Sequence, residues 1–374
     1  MTTTVSGLDL RVRPGLDRSR SERLLPYLRI GLPLTAAANG LLVAVHPLDA
    51  NRFAPMGADV LTGHFDAVYA KSWNQGGPLQ LVLSWLLMLG AHGPSPSRWL
   101  VAAISAALVL VAMSLARTAR TELIAGLICL MWLAAQQPWN GHPAELLVSV
   151  GWVLALRWQQ TGRWLSAASA LAAGVAIAPW AVLAFPALLA TAGVPRAART
   201  AIVATGLSGL VYLPFALTGH FAMFSQQWMI FPDSAMHLLW PGRTVVGWPL
   251  RFGQAVVVLA GTALVALRSR STSQVLLAAP LAAALLRVIT DPQTYDYYWI
   301  SVAVLVVLWS ALSPEPTTPL RWLGLIGLCY LPWAMTASGP RLIGPEWVGA
   351  LISLALMCWL TRPERSSAAP ATGR

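Results

Sequence analysis

The stretch YYWISVAVLVVLWSALS, residues 297–313, contains no charged side chain and is built mainly from Val, Leu, Trp, Tyr and Ala. Since an α-helix needs roughly 20 apolar residues to cross the hydrocarbon core of a bilayer, this run is nearly long enough to span one. Comparable runs recur along the chain between short polar breaks. They lie near residues 28–46, 78–94, 98–116, 122–136, 143–156, 164–178, 180–194, 200–217, 249–267, 273–289, 319–336 and 343–361. The pattern predicts an all-α polytopic membrane protein.

The composition of the 374 residues favours the same fold class. Hydrophobic residues make up 56% of the chain and charged residues 10%, whereas a soluble domain carries about 25% charged residues. Too few charges are present to cover a water-facing surface, so a soluble protein is excluded. The formal net charge is +11, but the basic residues lie in the breaks between apolar runs, where they report topology. We therefore expect no nucleic-acid partner.

The arginines predict the orientation of the chain. Six of them between residues 11 and 29 place the N-terminal segment 1–27 in the cytoplasm by the positive-inside rule. The Arg pairs in later breaks also favour the cytoplasm. They can all lie there only if the run 78–94 lies along or dips into the outer leaflet without crossing. We predict about eleven crossings, within a range of ten to thirteen, with seven before a long outer loop and four after it. Both termini of this multi-pass plasma-membrane protein would then be cytoplasmic.

The domain organisation follows from this topology. Residues 28–361 form a single membrane domain, and the tail 362–374, rich in Ser, Ala and Pro, is expected to be disordered. The predicted outer loops are 47–77, 137–142, 218–248, 290–296 and 337–342. Eight of the fourteen acidic residues fall on the outer face, so we expect any chemistry there. The three cysteines lie inside apolar runs without CxxC spacing or a nearby His cluster, and they predict neither a disulfide nor a metal site.

The first two outer loops hold most of the candidate site residues. Asp49 follows the first apolar run closely, so a helix end would fix its carboxylate near the membrane surface. Glu145 begins the span after the second loop, where a helix N-terminus stabilises a carboxylate. The alternative for each acid is a helix cap or a solvated loop residue. The further catalytic or sugar-binding candidates are Asp59, His64, Asp66, Tyr69, Lys71, Asn140 and His142.

The later loops supply candidates for binding a lipid phosphate. Arg243 carries a guanidinium that could form paired hydrogen bonds with a phosphate. Arg287 lies inside an apolar run, where a charge is costly and usually faces a cavity or a partner. The aromatic residues of loop 218–248 suggest a helix in the membrane interface, and their alternative role is anchoring. Candidates for contacting an acceptor or a lipid are Trp228, His237, Asp291, Tyr295 and Tyr298.

With these residues in view, the chain resembles the GT-C superfamily of polyprenyl-phosphate-sugar-dependent glycosyltransferases, and within it the actinobacterial enzymes that use polyprenyl-phosphomannose. The resemblance rests on Asp49 after the first run, on segment 63–69, which corresponds to amphipathic helices, and on Gly77-Pro78-Leu79 opening the next run. Residues 123–189 also follow the family's order of spans and breaks. The chain departs from the family where Ala178-Pro179 replaces a frequent Lys, and it has no Asp-x-Asp pair.

The resemblance implies an inverting hexosyl- or pentosyltransferase of cell-wall biogenesis. It would move mannose or a pentose from a polyprenyl-phosphate donor to an extracytoplasmic glycolipid or glycan, with membrane lipids as its surroundings. Asp49 would be the general base, the arginines would hold the departing phosphate, and no metal cofactor is expected. Two alternatives remain open: a transporter or lipid flippase, which would need polar or broken helices near the midplane, and a non-catalytic cell-envelope scaffold of the same fold.

Overall fold

The computed structural model describes residues 20–42, 48–89, 95–134, 142–218, 220–293, 295–336 and 345–362. The N-terminal segment before residue 20, the predicted loop 337–342 and the tail after residue 362 lie outside these ranges. The described chain is mostly helical, as predicted. Its helices are α1 Arg20–Leu42, α2 Leu48–Thr62, α3 Phe65–Val68, α4 Pro78–Leu87, α5 Arg98–Ser114, α6 Ala119–Ile128, α7 Pro143–Gln160, α8 Trp164–Ile177, α9 Val194–Leu217, α10 Ala235–Leu239, α11 Trp248–Ser269, α12 Ala278–Thr290, α13 Tyr298–Leu312, α14 Pro319–Thr336 and α15 Glu346–Leu360.

The apolar stretch at 297–313 forms the central helix of the structure. Every residue of α13 from Tyr298 to Ala311 is buried, and the helix packs against α6, α7, α12 and α14. A helix that is hydrophobic on all sides is stable only when it is surrounded by other elements. The absence of an amphipathic pattern therefore marks α13 as the core.

Two described helices, α9 and α11, are long and apolar enough to cross a membrane. In the most apolar 18-residue stretch of each helix, only 22% of the residues of α9 and 17% of those of α11 are buried inside the protein. Large apolar side chains therefore cover the outside of both helices, among them Ile202 and Leu210 on α9 and Val256 and Leu264 on α11. Such a large exposed apolar surface is typical of contact with lipid.

The predicted run 78–94 contains α4, whose ten residues rise about 15 Å. This is half the thickness of a hydrocarbon core of about 30 Å. α4 packs along α2, and the approach is so close that a Cβ on Gly57 would stand 2.2 Å from the carbonyl oxygen of Leu81. The first predicted outer loop thus contains two helices, α2 and α3, with α4 lying beside them.

A 3-10 helix occupies Pro179–Ala190, where the sequence predicts an ordinary span. Pro179 lacks an amide hydrogen, and Ala178 is extended, so α8 cannot continue. Because a 3-10 helix rises about 2.0 Å per residue, these twelve residues extend about 24 Å, against about 18 Å for an α-helix. A short segment can therefore connect the two ends of the helical bundle.

The long loop 218–248 does not form the single interfacial helix that its aromatic residues suggest. It contains a 3-10 turn, Ala222–Ser225, the short helix α10 and a hairpin of β1, Trp228–Met229, with β2, Val245–Val246. Trp228 pairs with Val246 in antiparallel register. Prolines and glycines in the loop, such as Pro232 and Gly242, interrupt a continuous helix.

One end of the bundle, which we call the arginine-rich end, joins the starts of α1, α6, α9 and α14 to the ends of α7, α11, α13 and α15. Its contacts tie neighbouring helix ends together through arginine, glutamate, threonine and glutamine side chains. They are Arg29–Glu122 at 2.6 Å, Arg120–Glu315 at 4.0 Å, Arg270 to the Leu189 carbonyl at 2.6 Å, Arg321 to the Leu360 carbonyl at 3.3 Å and Thr200 to Gln159 at 3.0 Å.

Five helices, α11 to α15, follow the long loop in the described part of the chain, where the sequence predicts four crossings. α6 runs on through a π-helical turn at Cys129–Ala134. The predicted eleven crossings are also inconsistent with two cytoplasmic termini, because an odd number of crossings leaves the termini on opposite sides.

Candidate active site

A cavity of about 710 Å³ opens at the end opposite the arginine-rich end. This volume is in the range that holds a drug-sized or sugar-sized ligand. Its walls come from α2, the loop before α4, the starts of α7 and α11, the 3-10 helix and the residues between α12 and α13. The polar and aromatic side chains that line it include Asp49, Arg52, Trp73, His142, Glu145, Trp180, Trp228, Trp248, Arg251, Gln254, Arg287, Asp291, Tyr295, Tyr297 and Tyr298.

Asp49 and His142 meet at the rim of this cavity. Asp49 lies in the first turn of α2, and His142 immediately precedes α7. The imidazole Nε2 is hydrogen-bonded to the Asp49 carboxylate. The Asp49 side chain is 33% exposed and that of His142 is 9% exposed, so the carboxylate is the more accessible partner.

The charge state of Asp49 is controlled by its neighbours. Burial raises the pKa of its carboxyl group, but the hydrogen bond and charge of His142, together with the charge of Arg52, outweigh burial and hold the pKa below its ordinary value. Asp49 is therefore ionised at neutral pH. The His142 ring stacks on Tyr297 with centroids 3.8 Å apart, which fixes the orientation of the imidazole.

Glu145 and Arg287 form a buried ion pair beside the rim. One guanidinium nitrogen of Arg287 donates to both carboxylate oxygens of Glu145, at 3.0 and 2.8 Å, and the hydroxyl of Ser301 also donates to this carboxylate. The guanidinium lies between the rings of Trp180 and Tyr298, at 3.8 and 4.1 Å from their centroids. The pair thus joins α7, α12 and α13, and the charge of Arg287 is already balanced.

Arg251 and Arg52 are cavity arginines that the sequence candidates omit. Arg251 is the more buried of the two. Its guanidinium lies 2.9 Å from the carboxylate of Asp291, and its side chain is 20% exposed against 1% for Asp291. Gln254 donates to the same carboxylate at 3.4 Å, and Arg251 stands over the Trp228 ring at 5.0 Å. Arg251 begins an apolar run, so the cost of a charge at that position is the signal that could have identified it.

Three tyrosines form the wall beneath the rim. Tyr295 stacks on Tyr297 with centroids 5.2 Å apart, and Tyr298 packs edge-on against both rings. Each ring carries a phenol hydroxyl, which can donate a hydrogen bond.

Several predicted site residues lie outside the cavity. His64, Asp66 and Lys71 are exposed, Asp59 is half-buried, and Tyr69 is buried in a separate aromatic cluster with Phe215 and Phe221. His237 and Arg243 belong to the long loop; Arg243 is exposed beside a different, shallow pocket. Asn140 lies outside the described residues. Of the named candidates, the cavity brings together Asp49, His142, Glu145, Trp228, Arg287, Asp291, Tyr295 and Tyr298.

Comparisons of the chain with protein-family models, with curated proteins and with solved structures found no match. Within the described part of the chain, no group of three or more His, Cys, Asp or Glu side chains is arranged to hold a metal ion. The function is therefore inferred from the chemistry of the cavity, with the GT-C resemblance as a hypothesis.

Proposed function

We propose that this protein is a membrane glycosyltransferase of the GT-C type, which transfers a sugar from a polyprenyl phosphate to a glycolipid or glycan outside the cytoplasm. The observation that carries the proposal is the accessible, ionised carboxylate of Asp49 in one cavity with the guanidinium groups of Arg52 and Arg251. A transferase of this type needs a base for the acceptor and cations for the departing phosphate, and both are found there.

The proposed topology has twelve crossings, with the arginine-rich end in the cytoplasm and the cavity on the outer face. It follows the positive-inside rule, because most described arginines cluster at the end away from the cavity. The apolar exteriors of α9 and α11 support the same arrangement. A lipid-linked donor in the outer leaflet could then reach the cavity without leaving the membrane.

In the proposed reaction the acceptor hydroxyl gives its proton to the Asp49 carboxylate, and its oxygen attacks the anomeric carbon of the donor sugar. The bond between that carbon and the phosphate oxygen breaks, and its electron pair leaves with the polyprenyl phosphate. Attack from the face opposite the leaving group inverts the anomeric configuration. The phosphate gains one negative charge, which Arg251 and Arg52 would stabilise.

The lowered pKa of Asp49 makes its carboxylate a weaker base than that of an ordinary aspartate and keeps it ionised at neutral pH. A weak base can still accept the proton if the acceptor hydroxyl loses it late in the reaction. At that stage the bond to the phosphate is largely broken and the attacking hydroxyl has become more acidic. His142 would act as a positioning residue, because it orients the Asp49 carboxylate while the Tyr297 ring holds the imidazole.

The direct test is Asp49→Asn, assayed by release of polyprenyl phosphate from a radiolabelled polyprenyl-phosphomannose or polyprenyl-phosphopentose donor in membranes. Loss of a general base should lower turnover by about 10²–10⁴-fold. Asp59→Asn and Asp66→Asn are matched controls, because both carboxylates lie outside the cavity. Undiminished transfer by Asp49→Asn would refute the assignment, and loss of transfer in Asp59→Asn or Asp66→Asn would then identify the base.

A further inference from the structure

Trp73 is an exposed aromatic side chain on the wall of the cavity. It lies in the loop between α3 and α4, and 39% of its surface is exposed. One face of its ring stacks on Phe53, with centroids 6.1 Å apart and planes 20° apart. Phe53 is buried in a separate core cluster, so the indole is held in a fixed plane while part of its surface is open.

The loop that carries Trp73 is held by hydrogen bonds on both sides of the indole. The buried amide of Asn74 donates to the Val68 carbonyl at 2.8 Å, and the buried Tyr69 hydroxyl donates to the Gly76 carbonyl at 2.9 Å. The Gly77 amide donates to the Ile177 carbonyl at the end of α8, also at 2.9 Å. An exposed tryptophan on so rigid a loop is preorganised, which is what a binding surface requires.

The position of Trp73 relates it to Asp49. Phe53, which supports the indole, lies four residues after Asp49 on the same face of α2, and residues with that spacing have Cβ atoms about 5–6 Å apart. Asp49, Arg52, Phe53 and Trp73 all line this cavity. A saccharide that covers the indole would therefore lie in the same cavity as the Asp49 carboxylate.

We propose that Trp73 is a stacking platform for a sugar ring of the acceptor, so that the acceptor is a saccharide whose hydroxyl is presented to Asp49. This inference rests on the proposed function. The C–H face of a sugar is apolar and carries weakly positive hydrogens, which pack favourably on the negative face of an aromatic ring. Gln75, which also lines the cavity and lies two residues after Trp73, supplies a polar group for the hydroxyls of such a ring.

The competing role for Trp73 is a membrane-interface anchor. Trp240 is the matched control, since it is similarly exposed at 45% and lies outside the cavity. If Trp73 is only an anchor, the Trp73→Ala and Trp240→Ala variants should bind a water-soluble sugar with equal affinity. The stacking role predicts a difference between them, and it predicts that Trp73→Phe retains most of the binding.

The experiment measures binding without catalysis, by saturation-transfer NMR on the purified full-length protein in nanodiscs with methyl α-mannobioside and methyl arabinofuranoside. We expect the wild type, Trp73→Phe and Trp240→Ala to bind at least one glycoside, and Trp73→Ala to bind it about tenfold more weakly. Equal binding by Trp73→Ala and the wild type, or no binding of either glycoside by the wild type, would overturn the platform.

A transfer assay on the same variants separates this inference from the proposed function. If both hold, Trp73→Ala raises the KM for the acceptor about tenfold and leaves the KM for the donor unchanged. Glycoside binding that depends on Trp73, in a wild type that consumes no donor, would refute the transferase and retain the sugar platform. Full transfer by Trp73→Ala with an unchanged acceptor KM would refute the platform and retain the transferase.

Discussion

The buried pair between Glu145 and Arg287 gives a prediction in which burial sets the size of the effect. Their side chains are only 2% and 7% exposed, respectively, so Glu145→Gln would leave a guanidinium without a counter-charge and out of contact with water. Breaking a buried ion pair on one side costs about 3–5 kcal/mol. The rings of Trp180 and Tyr298 contact the cation before and after the substitution, so they do not change this difference. We therefore expect a loss of about 3–5 kcal/mol.

Glu122→Gln is the matched control for this substitution. Glu122 also pairs with an arginine, at 2.6 Å, but the side chain of Arg29 is 58% exposed. After the substitution water can solvate that guanidinium, so the loss of stability should be smaller than for Glu145→Gln. Both losses can be measured as free energies of unfolding, by titrating the protein in mixed micelles with sodium dodecyl sulfate.

A double variant distinguishes the cost of an unpaired charge from a loss of packing. Replacing a whole buried ion pair by apolar side chains is often neutral, so Glu145→Gln combined with Arg287→Met should be more stable than Glu145→Gln alone. Losses for Glu145→Gln and Glu122→Gln that agree within about 0.5 kcal/mol would refute the reasoning from burial.

Two further predictions concern the packing of the cavity loop and the topology. A Cβ on Gly77 would stand 2.2 Å from the carbonyl oxygen of Ala176, so Gly77→Ala should cost about 1–3 kcal/mol and lower the melting temperature. Gly253→Ala is the control: nothing lies within 4 Å of the added Cβ, and alanine favours a helix over glycine, so the melting temperature should not fall. In a chain whose native cysteines are replaced by alanine, an impermeant maleimide should label Thr62→Cys in intact cells and Thr161→Cys only after permeabilisation; the reverse pattern would invert the proposed topology.

The helical class and the position of most elements could be predicted from the sequence, because apolar periodicity and length decide them locally. The stretch at 297–313 is predicted as a span and found as the buried helix α13. The 3-10 form of Pro179–Ala190 was not predicted, since a proline signals where an α-helix breaks and not which geometry replaces it. The hairpin in loop 218–248 was missed because its strands have only two residues each.

The candidate site was predicted best where a residue adjoins a helix terminus. Asp49, His142 and Glu145 lie at or next to the starts of α2 and α7, and helix ends gather at the two ends of a bundle, which brings such residues together. Loop residues such as Asp66 and Lys71 carry no comparable constraint. The direction of their side chains depends on tertiary packing, which the sequence pattern does not express.

Two carboxylate–arginine ion pairs and one Asp–His hydrogen bond surround the cavity, and the exposure of their members separates their roles. Glu145 and Arg287 are both buried, so their ion pair can hold helices together but presents no accessible charge to a substrate. Arg251 is partly accessible while Asp291 is buried, so the pair presents a cation to the cavity. Asp49 is accessible while His142 is nearly buried, so that pair presents an anion. A cavity that displays one anchored anion and one anchored cation suits a reaction in which a proton leaves one substrate and negative charge develops on the other.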